Sequence, residues 1–156
     1  MVRVQITKNF QDIDISARRL QDLVKTICRR FDLSKAVISI AIVDNVRMRK
    51  LNRQFLGRDA STDCLSFDLS GGDGHQPNRS FELIVNGELA IKEALLRGHR
   101  TEAELALYVT HSMLHNLGFD DSTQEQAKKM HDAEDEILRQ FGYAAVYNKK
   151  RHKMTR

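Results

Sequence analysis

TEAELALYVTHSMLHNLGFDD, residues Thr101 to Asp121, carries the reading of the whole chain. From Thr101 to Leu117 apolar residues appear on nearly every side, at Leu105, Leu107, Tyr108, Val109, Met113, Leu114 and Leu117. A helix apolar all round is normally buried, so this segment is expected to be a central helix. His111 and His115 lie four residues apart on it, hence on one face with Cβ atoms about 5–6 Å apart. Both imidazoles can then reach a single ion at about 2.0–2.1 Å. Gly118 can adopt the left-handed conformation that ends a helix and turns the chain back toward that ion. Asp121 follows as candidate third ligand, with Asp120 as its competitor or as a group that orients a histidine. Three protein ligands with one open position describe a catalytic metal site better than a structural one.

A pair of histidines four apart is weak evidence alone, because helices carry unrelated histidines. The glycine and the carboxylate strengthen it, since each has a separate geometric task. Burial adds weight, because an imidazole in an apolar core needs a partner for each nitrogen. His75, His99, His131 and His152 stand in polar contexts and are expected at the surface; Cys28 falls on an apolar face and is expected in the core. Zinc proteases with a similar spacing place a Glu general base directly after the first His. Here that position is Ser112, which argues against peptide hydrolysis.

The 156 residues suit one domain with a substantial core. Cys28 and Cys64 are the only cysteines, and neither belongs to a CxxC pair, which suggests a reducing compartment. The first residues lack an apolar run of signal-peptide length, and no stretch approaches the roughly 20 apolar residues of a membrane span. A cytoplasmic protein is expected. The net charge of +4 is unevenly spread. Residues 1–60 carry 13 Lys/Arg against 6 Asp/Glu, residues 61–148 carry 7 against 15, and residues 149–156 carry 5 against none. A basic first half could hold an anionic polymer while the acidic part holds the metal. The basic tail, 148–156, reads as flexible and solvated after a domain spanning 1–147.

Alternation at Val2, Val4 and Ile6 predicts a first strand, and Ala36 to Val43 a well-buried second one. Helical spacing predicts a helix over 15–31 capped by Ser16 or Asp14, and another from Asp44 or Asn45 to about Phe55. The second helix shows Arg47, Arg49, Lys50 and Arg53 on its exposed side. Cys64 to Leu69 reads as a strand, residues 70–80 as a glycine-rich mobile loop. Phe81 to Val85 and Glu88 to Ile91 both read as strand, joined by Asn86-Gly87 as a hairpin turn or bulge. A last helix is expected from Ser122 to Phe141.

Three segments together resemble the YbeY family of endoribonucleases. The family signature His-Gly-x-Leu-His-Leu-x-Gly-Tyr-Asp-His is matched by His111, Leu114, His115, Gly118 and Asp120, with Phe119 close to the Tyr. Leu51 to Phe67 is similar to the family's Leu-Asn-x-x-Tyr-Arg-x-x-Asp-x-Pro-Thr-Asp-Val-Leu-Ser-Phe, and Gly87-Glu88-Leu89-Ala90-Ile91 to Gly-Asp-Ile-x-Ile. The resemblance spans about residues 2–145. It implies a single α+β domain, with a mixed sheet of about four strands and helices around the metal-bearing helix. It further implies a zinc ion (with manganese or another divalent metal as alternative) and single-strand-specific RNA cleavage. The expected setting is 16S rRNA 3′-end maturation and ribosome quality control, with rRNA and the 30S or 70S ribosome as partners.

Two departures fall at sensitive positions. The family's third His is Asp121, whose charge makes a bound ion a weaker acid and suits harder metals. The family's Arg after the aromatic is Leu56, leaving Arg53 or Arg58 as the candidate catalytic cation. Ser112 and Asn116 replace Gly and Leu and make the ligand helix more polar. Arg47, Lys50, Arg53 and Arg58 are the candidate RNA-binding residues, while Tyr108, Phe55 and Phe67 are expected to pack in the core rather than stack on bases. A non-catalytic ribosome-assembly factor is the rival reading, and a metal hydrolase of the protease type a third.

Overall fold

β-Branched residues dominate the two strands that start the sheet, β1 (Val2–Lys8) and β2 (Ala36–Val43). Such side chains pack well on a pleated, buried surface. The computed structural model describes residues 1–10, 13–71 and 78–143. Its remaining elements are α1 (Ala17–Arg30), α2 (Asn45–Leu56), β3 (Cys64–Asp68), β4 (Arg79–Asn86), α3 (Gly87–Arg97), α4 (Thr101–Asn116) and α5 (Gln124–Gln140). The strand order is β1-β2-β4-β3. β1 pairs parallel with β2, β2 parallel with β4, and β3 antiparallel with β4, so the sheet is mixed, as expected.

Alternation divides the sheet into two faces. Ile38, Ile40, Ile42, Phe81, Leu83 and Val85 join the main core with α1 and α4, whereas Val43, Ile84 and Leu65 join Met48 of α2 in a smaller cluster. α4 packs against α1, α3, α5, β3 and β4. It is therefore the central helix that its all-round apolar pattern requires. No helix among the described residues is long and apolar enough to cross a membrane.

Side-chain caps start the other helices. Ser16, Asp44, Asn86 and Thr123 accept hydrogen bonds from the backbone N–H of Arg19, Arg47, Leu89 and Gln126, each three residues on. Ser16, not Asp14, caps α1.

One expectation about the elements fails at the end of β4. Glu88 to Ile91 is not a strand and Asn86-Gly87 is neither hairpin nor bulge, because α3 begins at Gly87. Asn86 is fully buried; its Oδ1 accepts from Leu89 N–H while Nδ2 donates to Asn45, Ser61 and the Thr62 carbonyl. These bonds start the helix. Gly87 serves close approach rather than a turn: a Cβ there would lie 2.8 Å from Ile42 Cγ2. The basic tail at 148–156, the end of the domain at 147, the core of the glycine-rich loop (72–77), and His75 and His152 fall outside the described residues.

Candidate metal centre

Leu117, Gly118 and Phe119 turn the chain at the end of α4. Gly118 N–H donates to the His115 carbonyl at 3.1 Å and Phe119 N–H to the Leu114 carbonyl at 2.9 Å. That is the Schellman pattern, and Gly118 sits at φ +102°, a conformation that side chains rarely adopt. Nothing lies within 4 Å of a Cβ built on Gly118, so the backbone angle alone selects glycine. The turn packs Phe119, half-buried, edge-on against Phe31, with ring centroids 5.7 Å apart. It also aims the Phe119 carbonyl back at the helix, where His115 Nδ1 donates to it at 3.2 Å.

His111 is oriented from the other side. Its Nδ1 lies 2.7 Å from Oε2 of Glu134, a fully buried carboxylate on α5. With both Nδ1 atoms acting as donors, both Nε2 atoms carry lone pairs. Those two atoms face each other at 3.0 Å. Asp121 Oδ2 completes the cluster, 4.0 Å from His111 Nε2 and 3.8 Å from His115 Nε2. All three donor atoms lie within 4.8 Å of one another. Two lone pairs and a carboxylate converging on one point repel unless a positive charge stands between them. The donor set therefore fits a divalent cation.

The surroundings reinforce that charge. Burial works to lower the His111 pKa, yet the hydrogen bond and charge of Glu134, with the charges of Asp63 and Asp121, outweigh it and raise the pKa overall. Glu134 Oε1 has no hydrogen-bond partner among the described residues, so this carboxylate is not neutralised elsewhere. Asp120, the competing ligand, is committed to a turn. Its oxygens accept from Asp121 N–H at 2.7 Å and from the Ser122 N–H and hydroxyl, bonds that lower its pKa.

Of the residues singled out in the sequence, His111, His115 and Asp121 are brought together. Arg47, Lys50, Arg53 and Arg58 are exposed on α2 and the loop after it, and none forms an ion pair or side-chain hydrogen bond with that cluster. Arg49 of the same helix is bound to Asp59 at 2.9 Å. Two groups escaped the sequence reading. Glu134 carried a signal, an acid set in the apolar stripe of Met130, Ile137 and Leu138. Arg79 carried none: it pairs with Asp68 at 2.9 Å, lies over the Phe81 ring, and reaches the Asn116 carbonyl at 3.4 Å, beside His115. His99, expected at the surface, is instead largely covered and bonded to buried Glu104.

The sequence profile described as Endoribonuclease YbeY matches residues 5–142. The chain belongs to the YbeY family. Proteins named Endoribonuclease YbeY are 31% identical over 147 residues in a Thermoanaerobacter species, covering 83% of this chain and 92% of that protein. In Wolinella succinogenes the figure is 41% over 110 residues, covering 70% and 75%. The solution structure of TM1509 from Thermotoga maritima superimposes with a TM-score of 0.60 at 20% identity, over 99% of this chain and 94% of that one. That likeness supports the α+β fold alone. Asp121, which the sequence resemblance sets at the family's third histidine, brings its carboxylate to the two imidazoles and completes the candidate donor set.

Proposed function

We propose that the chain is a metal-dependent, single-strand-specific endoribonuclease acting in rRNA maturation, including the 16S 3′ end, and in ribosome quality control. The observation that carries the reading is the convergence of His111 Nε2, His115 Nε2 and Asp121 Oδ2 at the end of a buried helix. Family membership supports the reaction class, since the relatives are named endoribonucleases. The three residues would hold one Zn2+ or, given the carboxylate, Mn2+. A divalent ion there supplies Lewis-acid polarisation of a phosphoryl oxygen and a bound water of lowered pKa.

The protein's own groups do the rest. Glu134 and the Phe119 carbonyl fix each imidazole with Nε2 toward the substrate side. Arg53 or Arg58 neutralises charge gathering on the scissile phosphate. Arg47 and Lys50, exposed on the same helix, hold flanking phosphates, and this part of the affinity falls as salt rises.

The assembly-factor reading draws on a specific observation. Leu56, at the family's arginine position, is half exposed and offers no charge. Metal analysis with cleavage of single-stranded rRNA fragments separates the two readings. The proposal expects metal-dependent cleavage that His115→Ala abolishes; a bound ion without cleavage would instead establish the non-catalytic factor.

A further inference from the structure

The last four carbonyls of an α-helix have no partner within it. In α4 the turn answers three of them. Leu117 N–H donates to Met113, Phe119 N–H to Leu114 and Gly118 N–H to His115, at 3.0, 2.9 and 3.1 Å. The fourth, the carbonyl of Asn116, accepts from Nη2 of Arg79 at 3.4 Å. That arginine stands at the start of β4 and is itself fixed from several sides. Nη2 pairs with Asp68 at the end of β3 at 2.9 Å, Nε donates to Ser70 Oγ at 3.3 Å, and the guanidinium lies 5.0 Å from the centre of the Phe81 ring. Its backbone N–H donates to the Lys35 carbonyl ahead of β2 at 3.1 Å. Only 15% of the side chain is exposed. The Asn116 side chain does not share the task, because its Nδ2 is buried with no hydrogen-bond partner among the described residues.

The turn that follows Asn116 carries two parts of the metal centre. The Phe119 carbonyl accepts from His115 Nδ1, and Asp121 Oδ2 lies 3.8 Å from His115 Nε2. Among the described residues the Asp121 carboxylate faces only the two imidazoles, at 3.8 and 4.0 Å, so its place is set by the backbone that leads to it. That backbone pivots on Gly118 at φ +102°. It is anchored on one side by Phe119 against Phe31, and at its root by the bond from Arg79.

We propose that Arg79 is a positioning residue of the metal centre. By tying the last carbonyl of α4 to the edge of the sheet, it holds the turn that delivers Asp121 as third donor. A cation suits the negative end of a helix. The planar guanidinium can also meet Asp68 and Asn116 at once in a fixed geometry, which a flexible ammonium does less well. Arg79 touches neither ion nor substrate and acts through the backbone. The inference rests on the metal-dependent reading above and does not depend on what is cleaved.

Competition titration of the full chain with Zn2+ tests it. Arg79→Met keeps an apolar stem over Phe81 and removes the donors. Its Zn2+ affinity is expected to fall roughly 10-fold, the lower end of what groups behind metal ligands contribute. Arg79→Lys should recover most of that loss, since an ammonium still donates to Asp68 and Asn116. A cycle with Asp121→Ala separates positioning from general support of the fold. In that background Arg79→Met should weaken Zn2+ no further, because the donor it holds is already gone. Asp68→Asn, at the more exposed partner of the pair, runs the same cycle through a milder change if Arg79→Met does not fold. Losses that add in full, or wild-type affinity in Arg79→Met, overturn the inference and leave the metal centre standing. A wild type that binds no stoichiometric Zn2+ overturns both.

Discussion

α4 has a histidine–glutamate pair at each end, and the two pairs have different consequences. At its start, His99 Nε2 bonds to Glu104, which also accepts from the Tyr108 hydroxyl at 3.3 Å and has Arg97 at 3.9 Å. That carboxylate is answered by cations and donors on its own side of the molecule. At the other end, Glu134 takes Nδ1 of His111 and leaves Nε2 pointing at a second imidazole and a second carboxylate. The pair at the start closes a network, whereas the pair at the end opens one. Which ring nitrogen is committed, and what the other one faces, separates a structural pair from a ligand pair.

Substitutions can break this contrast. Glu104→Ala strips a buried network of the acid bonded to His99 and is expected to cost about 3 kcal/mol in urea unfolding. Metal affinity should stay at the wild-type value; an equal loss of metal would erase the distinction between the two ends. Glu134→Gln keeps the shape but not the charge behind His111. Its metal affinity should fall about 10- to 100-fold in a competition titration, with little change in stability. Unchanged affinity there would mean that Glu134 is merely buried beside the site. Asp121→His sharpens the ligand end: zinc should bind a few-fold tighter and manganese weaker. Weaker zinc binding would count against Asp121 as third donor.

The smallest effect concerns Glu102, at the start of α4. Burial works to raise its pKa, but hydrogen bonds from Tyr143, the Ser16 N–H and Arg19, with the charge of Arg19, lower it overall. A carboxylate depressed in the folded state stabilises above its unfolded pKa, and that contribution is lost as pH falls through the folded value. Glu102→Gln should therefore flatten the acid limb of the stability profile below the ordinary carboxylate range. A limb as steep as the wild type's would show that other carboxylates govern it.

The metal helix was legible because each of its residues has its own local task. His111 and His115 share a face by spacing, Gly118 takes a backbone angle that only glycine adopts easily, and Asp121 follows at the right distance. What the sequence concealed depends on partners far along the chain. Glu134 lies 23 residues beyond His111, and its role exists only once α5 packs on α4. α3 differs from the strand expected there because Glu88 to Ile91 is a four-residue, mostly apolar run, too short to distinguish a strand from the first turn of a helix capped by Asn86. Phe55, expected in the core as aromatics usually are, is 54% exposed. The sheet ends beneath it, and that boundary is a property of strand order.

The most direct test of the central claim is equilibrium titration of the metal-free chain with Zn2+ and Mn2+, beside His115→Ala. One ion per chain in the wild type, with tight binding lost in the variant while the circular dichroism spectrum is retained, is the predicted result. No stoichiometric ion in the wild type, or identical binding by His115→Ala, would contradict it.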